Sequence, residues 1–315
     1  TGYMPVLSLK GDGALWAWGD NAYGQLADGS NVSQPWAQQV GTDADWVMVS
    51  GGDYHSMAIK ADGTLWAWGR NGTGQLGVGD TTNRYDVTRV GADADWAEVS
   101  AGEWHTLGLK SDGTLWAWGN NVHGELGLVD TSERQSPTKV GTDSDWVAIA
   151  AGGAHSLAVK SDGTLWAWGD NGYGQLGLDD TSPRNVPTQV ASSGWIAVSA
   201  GTQHSIAVKN DGSLWAWGYN GSWQLGLGDG VNRDVPTQVA GTDWVSASAG
   251  YQHSLGVKND GSLWSWGYNN KGQLGLGHTV SFNVPMQVAG GGYTGCEAGG
   301  NFSMTGDDEG RLWGA

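Results

Sequence analysis

Short runs in which large residues alternate with small ones recur along the whole chain, each closed by glycine or a turn-forming pair. The segment from Trp146 to Val190 shows one full cycle. Trp146–Ala151 has a two-residue period that predicts a strand. His155–Lys160 predicts a second, with Leu157 and Val159 on one face and Ser156 and Ala158 on the other. Ser161-Asp162-Gly163 then supplies a tight turn, because glycine reaches the positive φ that a short hairpin needs. A third strand, Leu165–Gly169, puts Trp166 and Trp168 on one face and Leu165 and Ala167 on the other. Gly174-Gln175-Leu176-Gly177 reads as a turn-rich connector, and Pro187–Val190 as a short fourth strand.

That cycle repeats. Leu-Trp-Ala-Trp-Gly begins at Leu15, Leu65, Leu115, Leu165 and Leu214, returns as Leu-Trp-Ser-Trp-Gly at Leu263, and ends as a truncated Leu-Trp-Gly at Leu312. Successive spacings are 50, 50, 50, 49, 49 and 49 residues. Four antiparallel strands in a unit of this length make a propeller blade. The expected fold is therefore all-β: one domain over 1–315, a seven-bladed β-propeller of four-stranded antiparallel blades. Its blades should stack by setting a bulky indole face against a face of small Ala, Gly and Ser side chains. A solenoid of equal period is the rival, but the polar terminal caps of a solenoid are missing. The chain opens on a second strand (Val6–Lys10) and stops on a third (Leu312–Ala315), so the terminal repeats are incomplete. Either the two ends lie side by side, or the natural chain is longer.

Composition narrows the function. With 55 Gly and 21 Trp but only 7 Pro, short strands and tight turns are expected rather than helices or disorder. A net charge of −17 argues against nucleic acid and against an anionic membrane surface, both of which need clustered Lys and Arg. No apolar stretch approaches membrane-spanning length. The single cysteine, Cys296, stands at a strand position and is expected to be a buried, inert thiol; no intrachain disulfide can form. The start at Thr1 fits removal of a targeting segment, and equally a trimmed chain. Low Lys with abundant Gly, Ser, Thr, Asn and Trp leans towards an extracellular or cell-surface protein of a bacterium.

The string Ser-Ala-Gly-x-x-His-Ser/Thr, followed by Asp-Gly-x-Leu-Trp-x-Trp-Gly-x-Asn-x-x-Gly-Gln-Leu-Gly, resembles the regulator of chromosome condensation repeat. Ser100-Ala101-Gly102 with His105-Thr106, and Asp162-Gly163 with Gly174-Gln175-Leu176-Gly177, are good matches, and the likeness runs through essentially the whole chain. It implies the propeller but not one activity. Guanine nucleotide exchange, with chromatin binding, uses an inserted wedge and a basic arm in that family, and this chain has neither. The plant ultraviolet-B photoreceptor uses Gly-Trp-Arg-His-Thr strings. Here the Trp position holds Asp53, Glu103, Gly153, Thr202, Tyr251 and Asn301, so no copy of the motif survives. Secreted bacterial binding propellers, similar in architecture to the type II β-lactamase inhibitor protein, clamp a partner with loop residues on one face. Short, insertion-free repeats match that pattern.

Residues repeated in every unit serve packing, and those that vary between units are free for other work. The variable ones precede each repeat histidine or flank the turn asparagine. They give a candidate partner-binding set of Tyr23, Asp53, Tyr54, Glu103, Trp104, His123, Tyr173, Tyr219, Trp223, Tyr251 and Tyr268. Arg70, Asp20 and Lys271 belong to the same variable positions. Their Tyr, Trp and acidic content matches the amphipathic anchors of binding surfaces. Trp36, Trp104 and Trp223 stand outside the repeating indole pattern. By contrast, His55, His105, His155, His204 and His253 recur once per blade, which points to a structural hydrogen bond, since metal ligation needs several to converge at about 2 Å from one ion. Asp43-Ala44-Asp45, Asp93-Ala94-Asp95 and Asp143-Ser144-Asp145 are expected to be solvated loops. No nucleophile elbow, phosphate loop or metalloprotease motif is present. The expectation is a binding scaffold for a protein partner, with no catalytic residue, metal or cofactor; a glycan, bound or cleaved by a carboxylate pair, is the alternative.

Overall fold

The computed structural model describes residues 4–315. No helix occurs among them. The strands form seven antiparallel sheets, five of four strands and, at the two chain ends, two of three strands. This is the expected seven-bladed β-propeller of antiparallel blades. Two compact units make up the chain, divided between Ser156 and Leu157 within the second strand of the fourth blade, His155–Lys160.

The third blade shows the construction: Trp96–Ala101, His105–Lys110, Leu115–Gly119 and Arg134–Lys139, each paired with the next in sequence. The outermost strand is longer than the sequence suggests. In the fourth blade it covers Arg184–Gln189 and begins where Arg184 pairs with Gly169 across a bulge between Ala167 and Gly169. A bulge inserts an unpaired residue and so hides the strand's start from a two-residue pattern.

Indoles fill the spaces between blades, though not as size matching predicts. Leu15, Ala17, Leu26 and Val40 of the first blade pack against Trp46, Ala58 and Trp68 of the second. Met57, Ile59, Leu65 and Leu76 of the second meet Trp96, Val99 and Trp118 of the third. In the other unit, Ile206, Leu214 and Leu225 of the fifth blade meet Trp244 and Trp266 of the sixth. The face opposite the indoles is therefore aliphatic, which corrects the expected pairing of bulky with small. Small residues lie instead beneath the rings in the same sheet. A Cβ on Gly108 would come within 2.7 Å of Trp96 and 3.1 Å of Trp118. The indoles thus lie flat across their own strand and leave their outer faces to branched side chains, which fill space at interior density.

A polar latch crosses each of these interfaces. Gln75 O, in the second blade's connector, accepts from Thr106 Oγ1 at 2.8 Å and from Trp118 Nε1 at 2.9 Å, both in the third blade. His55 Nε2 lies 2.9 Å from that same Thr106 oxygen. The hydroxyl proton is committed to Gln75, so His55 Nε2 carries a proton and donates; Nδ1 has no partner among the described residues, which fits the Nε2–H tautomer of a neutral ring. Burial holds the His55 and His105 imidazoles down to about 3. In the second unit Gln224 O takes Ser254 Oγ and Trp266 Nε1, each at 2.8 Å, and His204 Nε2 lies 3.0 Å from Ser254 Oγ.

The acidic strings are exposed loops, as expected, but their carboxylates are paired. Lys60 Nζ lies 2.6 Å from Asp43 and 3.1 Å from Asp45, over the rings of Trp46 and Trp66. Lys110 repeats this with Asp93, Asp95, Trp96 and Trp116. The cation these carboxylates hold is the blade's own strand-end lysine, whose stem is long enough to cross the indoles. Cys296 packs beside Leu255 and Val257, and burial pushes its thiol up to about 12.

Candidate functional site

Each connector is organised by its turn asparagine. Asn71, fully buried, accepts from Leu76 N at 3.0 Å and donates to Asp80 O at 2.8 Å, and this fixes the loop that leaves the third strand. The residues on either side of such an asparagine, and those before each repeat histidine, emerge together. Arg70 N donates to Tyr54 O at 2.8 Å, and Asn120 N donates to Trp104 O at 2.9 Å. Close approach is possible because the strand ends on glycine. Gly119 has φ +102, and a Cβ there would sit 2.7 Å from Trp104 O.

In the first unit this arrangement assembles an aromatic cluster from three blades. Tyr23 of the first blade meets Tyr54 of the second edge-on at 5.6 Å, and Tyr54 meets Trp104 of the third at 4.9 Å. The Arg70 guanidinium lies 4.7, 5.5 and 4.5 Å from the centres of the Tyr23, Tyr54 and Trp104 rings. Thr73 Oγ1 donates to Trp104 O at 3.2 Å and ties the second blade's connector to the third blade. All four side chains are partly exposed. The cluster is acid-flanked. Burial chiefly, with Asp53 and Glu103 nearby, raises the Tyr54 phenol above its ordinary range, while Arg70 opposes them. Burial also raises the Glu103 carboxyl, against a hydrogen bond from Trp104. Asp53 is only 5% exposed and offers little surface to a partner.

The second unit holds a smaller cluster. Tyr173 and Tyr219 meet at 4.9 Å, and Tyr219 lies across Gly221, where a Cβ would clash with its hydroxyl. Trp223 turns to its own connector and packs beside Gly230, with φ +67 in a place where other connectors carry glycine. Its ring is 40% exposed. Tyr251 and Tyr268 are partly exposed at the sixth blade, and His123 is exposed on the third blade's connector.

Two kinds of variable position were read from the sequence, and in the first unit they converge: Tyr54 and Trp104 precede histidines, while Tyr23 and Arg70 flank asparagines. Arg70 is the residue that the candidate set lacks. Its signal was available, because the equivalent positions hold Asp20, Asn120, Asp170, Tyr219 and Tyr268, and it alone is cationic. No group of three or more His, Cys, Asp or Glu is placed to hold a metal among the described residues. What the cluster can do is stack: it shows aromatic faces and a guanidinium already ordered by its neighbours, a low-entropy surface for recognition.

Comparison with known proteins agrees on architecture. A family model described as RCC1-like domain matches residues 1–305. The structure of human WBSCR16 superposes with a TM-score of 0.86 at 26% identity, covering 98% of this chain and 86% of that one. Yeast RCC1 (Prp20), solved bound to Kap60, gives 0.86 at 21% identity over 99% of this chain and 79% of that one. Prp20p from Saccharomyces cerevisiae, a protein with binding properties towards Gsp1p and histones, gives 0.85 at 24% identity, covering 97% and 80%. No curated protein matches the chain.

Proposed function

The chain belongs to the RCC1-like domain family, and from that premise we propose that it is a non-catalytic scaffold that binds a protein partner through the Tyr23–Tyr54–Trp104 cluster around Arg70. One observation carries this reading: a guanidinium held among three partly exposed rings drawn from three successive blades. Trp, Tyr and Arg are the side chains that dominate binding energy at protein interfaces, and here they are ordered before any partner arrives. Binding of Gsp1p and histones by Prp20p supports protein recognition as a use of this fold. The composition favours a setting outside a bacterial cell, so that is where its partner is to be sought.

The test offers immobilised wild-type protein, Arg70→Ala and Trp104→Ala to bacterial culture medium and cell-surface extract, with bound proteins identified by mass spectrometry. Trp36→Ser, at an exposed indole on the first blade's outer strand, serves as control. Proteins retained by wild type and the control but lost by both site variants support the reading. Equal retention by all four sinks it, and a glycan-array signal lost in the same two variants transfers the site to the glycan alternative.

A further inference from the structure

The strand-end lysine has a different fate in the fifth blade. Lys209 Nζ lies over Trp195 at 4.4 Å and over Trp215 at 4.7 Å, as its counterparts lie over their own indole pairs. In the second and third blades two aspartates neutralise that ammonium. The loop before Trp195, Ala191–Gly194, is one residue shorter than Gly41–Asp45 and carries no carboxylate. Ser192 Oγ is the hydrogen-bond acceptor that Lys209 Nζ finds instead. In the sixth blade, where the loop is equally short, Asp243 stands at the place of Gly194 but accepts from Thr242, and Lys258 lies over Trp244 and Trp264 without an ion pair among the described residues. Among the described residues no carboxylate lies within ion-pairing distance of Lys209.

A cavity of about 320 Å³ takes the place of the missing side chains, with Lys209, Ser192, Gln189, Trp195, Trp215 and Pro236 in its wall. We propose that this cavity is a carboxylate-binding site. The chain itself supplies the precedent, since the same lysine over the same two rings holds a pair of aspartates in the second and third blades. The indoles and Pro236 give an apolar wall, so the ligand combines one carboxylate with a flat or aliphatic body. Asp179 also lines the cavity, beyond ion-pairing distance of Lys209, and its charge selects a monoanion over a phosphate ester or other polyanion. That chemistry is met by a free monocarboxylic acid or by an acidic side chain of a peptide. The site is separate from the aromatic cluster of the first unit and does not rest on the reading given to it.

The experiment titrates the whole protein, followed by the indole N–H signals of Trp195 and Trp215 in NMR. The probes are phenylacetate, its neutral analogue phenylacetamide, and acetyl-Thr-Asp-Ala-Asn-amide, a copy of the second blade's loop that keeps one carboxylate. Saturable shifts are expected with a dissociation constant of about 1 mM for at least one acid, and at least about tenfold weaker for phenylacetamide. Lys209→Met should abolish them. Ser192→Asp should return the lysine's internal partner, cut affinity at least about tenfold and raise Tm, which guards against a Lys209→Met chain that fails to fold. Response to phenylacetate alone assigns a small-acid site, and response to the peptide alone assigns an acidic-peptide site. Absence of saturable shift up to about 50 mM with both acids, or equal shifts in Ser192→Asp, overturns the proposal.

Discussion

Trp104 and His105 are neighbours in the chain, and they answer to different constraints. His105 is fully buried, tied through Nε2 to Ser156 Oγ at 2.9 Å, and repeats in kind from blade to blade. Trp104, one residue earlier, faces Tyr54 and Arg70 at the surface, and the same position holds Tyr54, Ala154, Gln203 and Gln252 in other repeats. The backbone between them is the boundary between what packing dictates and what it leaves open. A strand end in a repeat protein therefore carries two messages, and comparing a chain with itself separates them without any other sequence.

The largest effect that would sharpen this contrast is acid sensitivity confined to the buried side. His55 and His105 are held neutral down to about 3, and His253 down to about 4, by burial. The unfolded chain protonates its histidines near 6.5, so between pH 6.5 and 4.5 it binds protons that the native state refuses, and stability falls as pH falls. Each histidine contributes a loss of about 2–3 kcal/mol across that interval, at about 1.4 kcal/mol per unit. Four buried carboxyls run the other way. Burial raises Glu98 to about 7 and also raises Glu103, Glu125 and Glu297, so they are protonated in the fold before the unfolded chain takes up those protons, and they oppose the histidine share. The histidine share is isolated by comparing wild type with His105→Gln in urea melts at pH 7 and pH 4.5: the variant should lack close to one proton's worth of the acid-induced loss. An identical pH dependence in the two proteins would show that the latch histidine is not held neutral.

Next in size is the indole that belongs to the repeat. Trp118 is fully buried, packs with Met57 and Leu65 across the blade interface, and donates to Gln75 O. Trp118→Ala should cost about 3–5 kcal/mol, the usual range for deleting a buried aromatic side chain. Lys110→Met lies below it. This variant breaks ion pairs with aspartates that are about half exposed, and it removes the ammonium above two rings while keeping the stem; a loss of about 1 kcal/mol is expected in thermal melts, and it should shrink in high salt.

The sequence made the fold legible because its period is redundant: strand alternation, the Asp-Gly turn and the Trp-x-Trp strand all return together about every fifty residues. What it hid were relations between blades. A two-residue pattern says which side chains share a face but not what lies opposite, so the aliphatic surface facing the indoles went unread, as did Gly108 beneath Trp96. The Asp43–Lys60 pair is seventeen residues apart and depends on a strand end folding back to a loop. Asp53 reads as variable and exposed, yet it is buried. Of the candidate site, Tyr23, Tyr54 and Trp104 were recognisable as departures from the repeat. Their convergence on Arg70 was not, since contact across three blades has no linear signature.

The smallest expected effect on stability is the one that bears most on function. Trp104→Ala removes a partly exposed ring that fills no blade interface, so its cost should stay near 1 kcal/mol, several-fold less than that of Trp118→Ala. A double-mutant cycle with Arg70→Ala isolates what the two share: a guanidinium 4.5 Å from a partly exposed ring should give a coupling of about 0.5–1 kcal/mol. Both single variants should melt within a few degrees of wild type and lose partner capture together. If Trp104→Ala instead costs as much as Trp118→Ala, the boundary drawn between residues 104 and 105 is in the wrong place, and the surface indole is one more packing residue. A coupling near zero with capture lost would keep the site but dissolve the cluster, leaving each side chain to meet the partner alone.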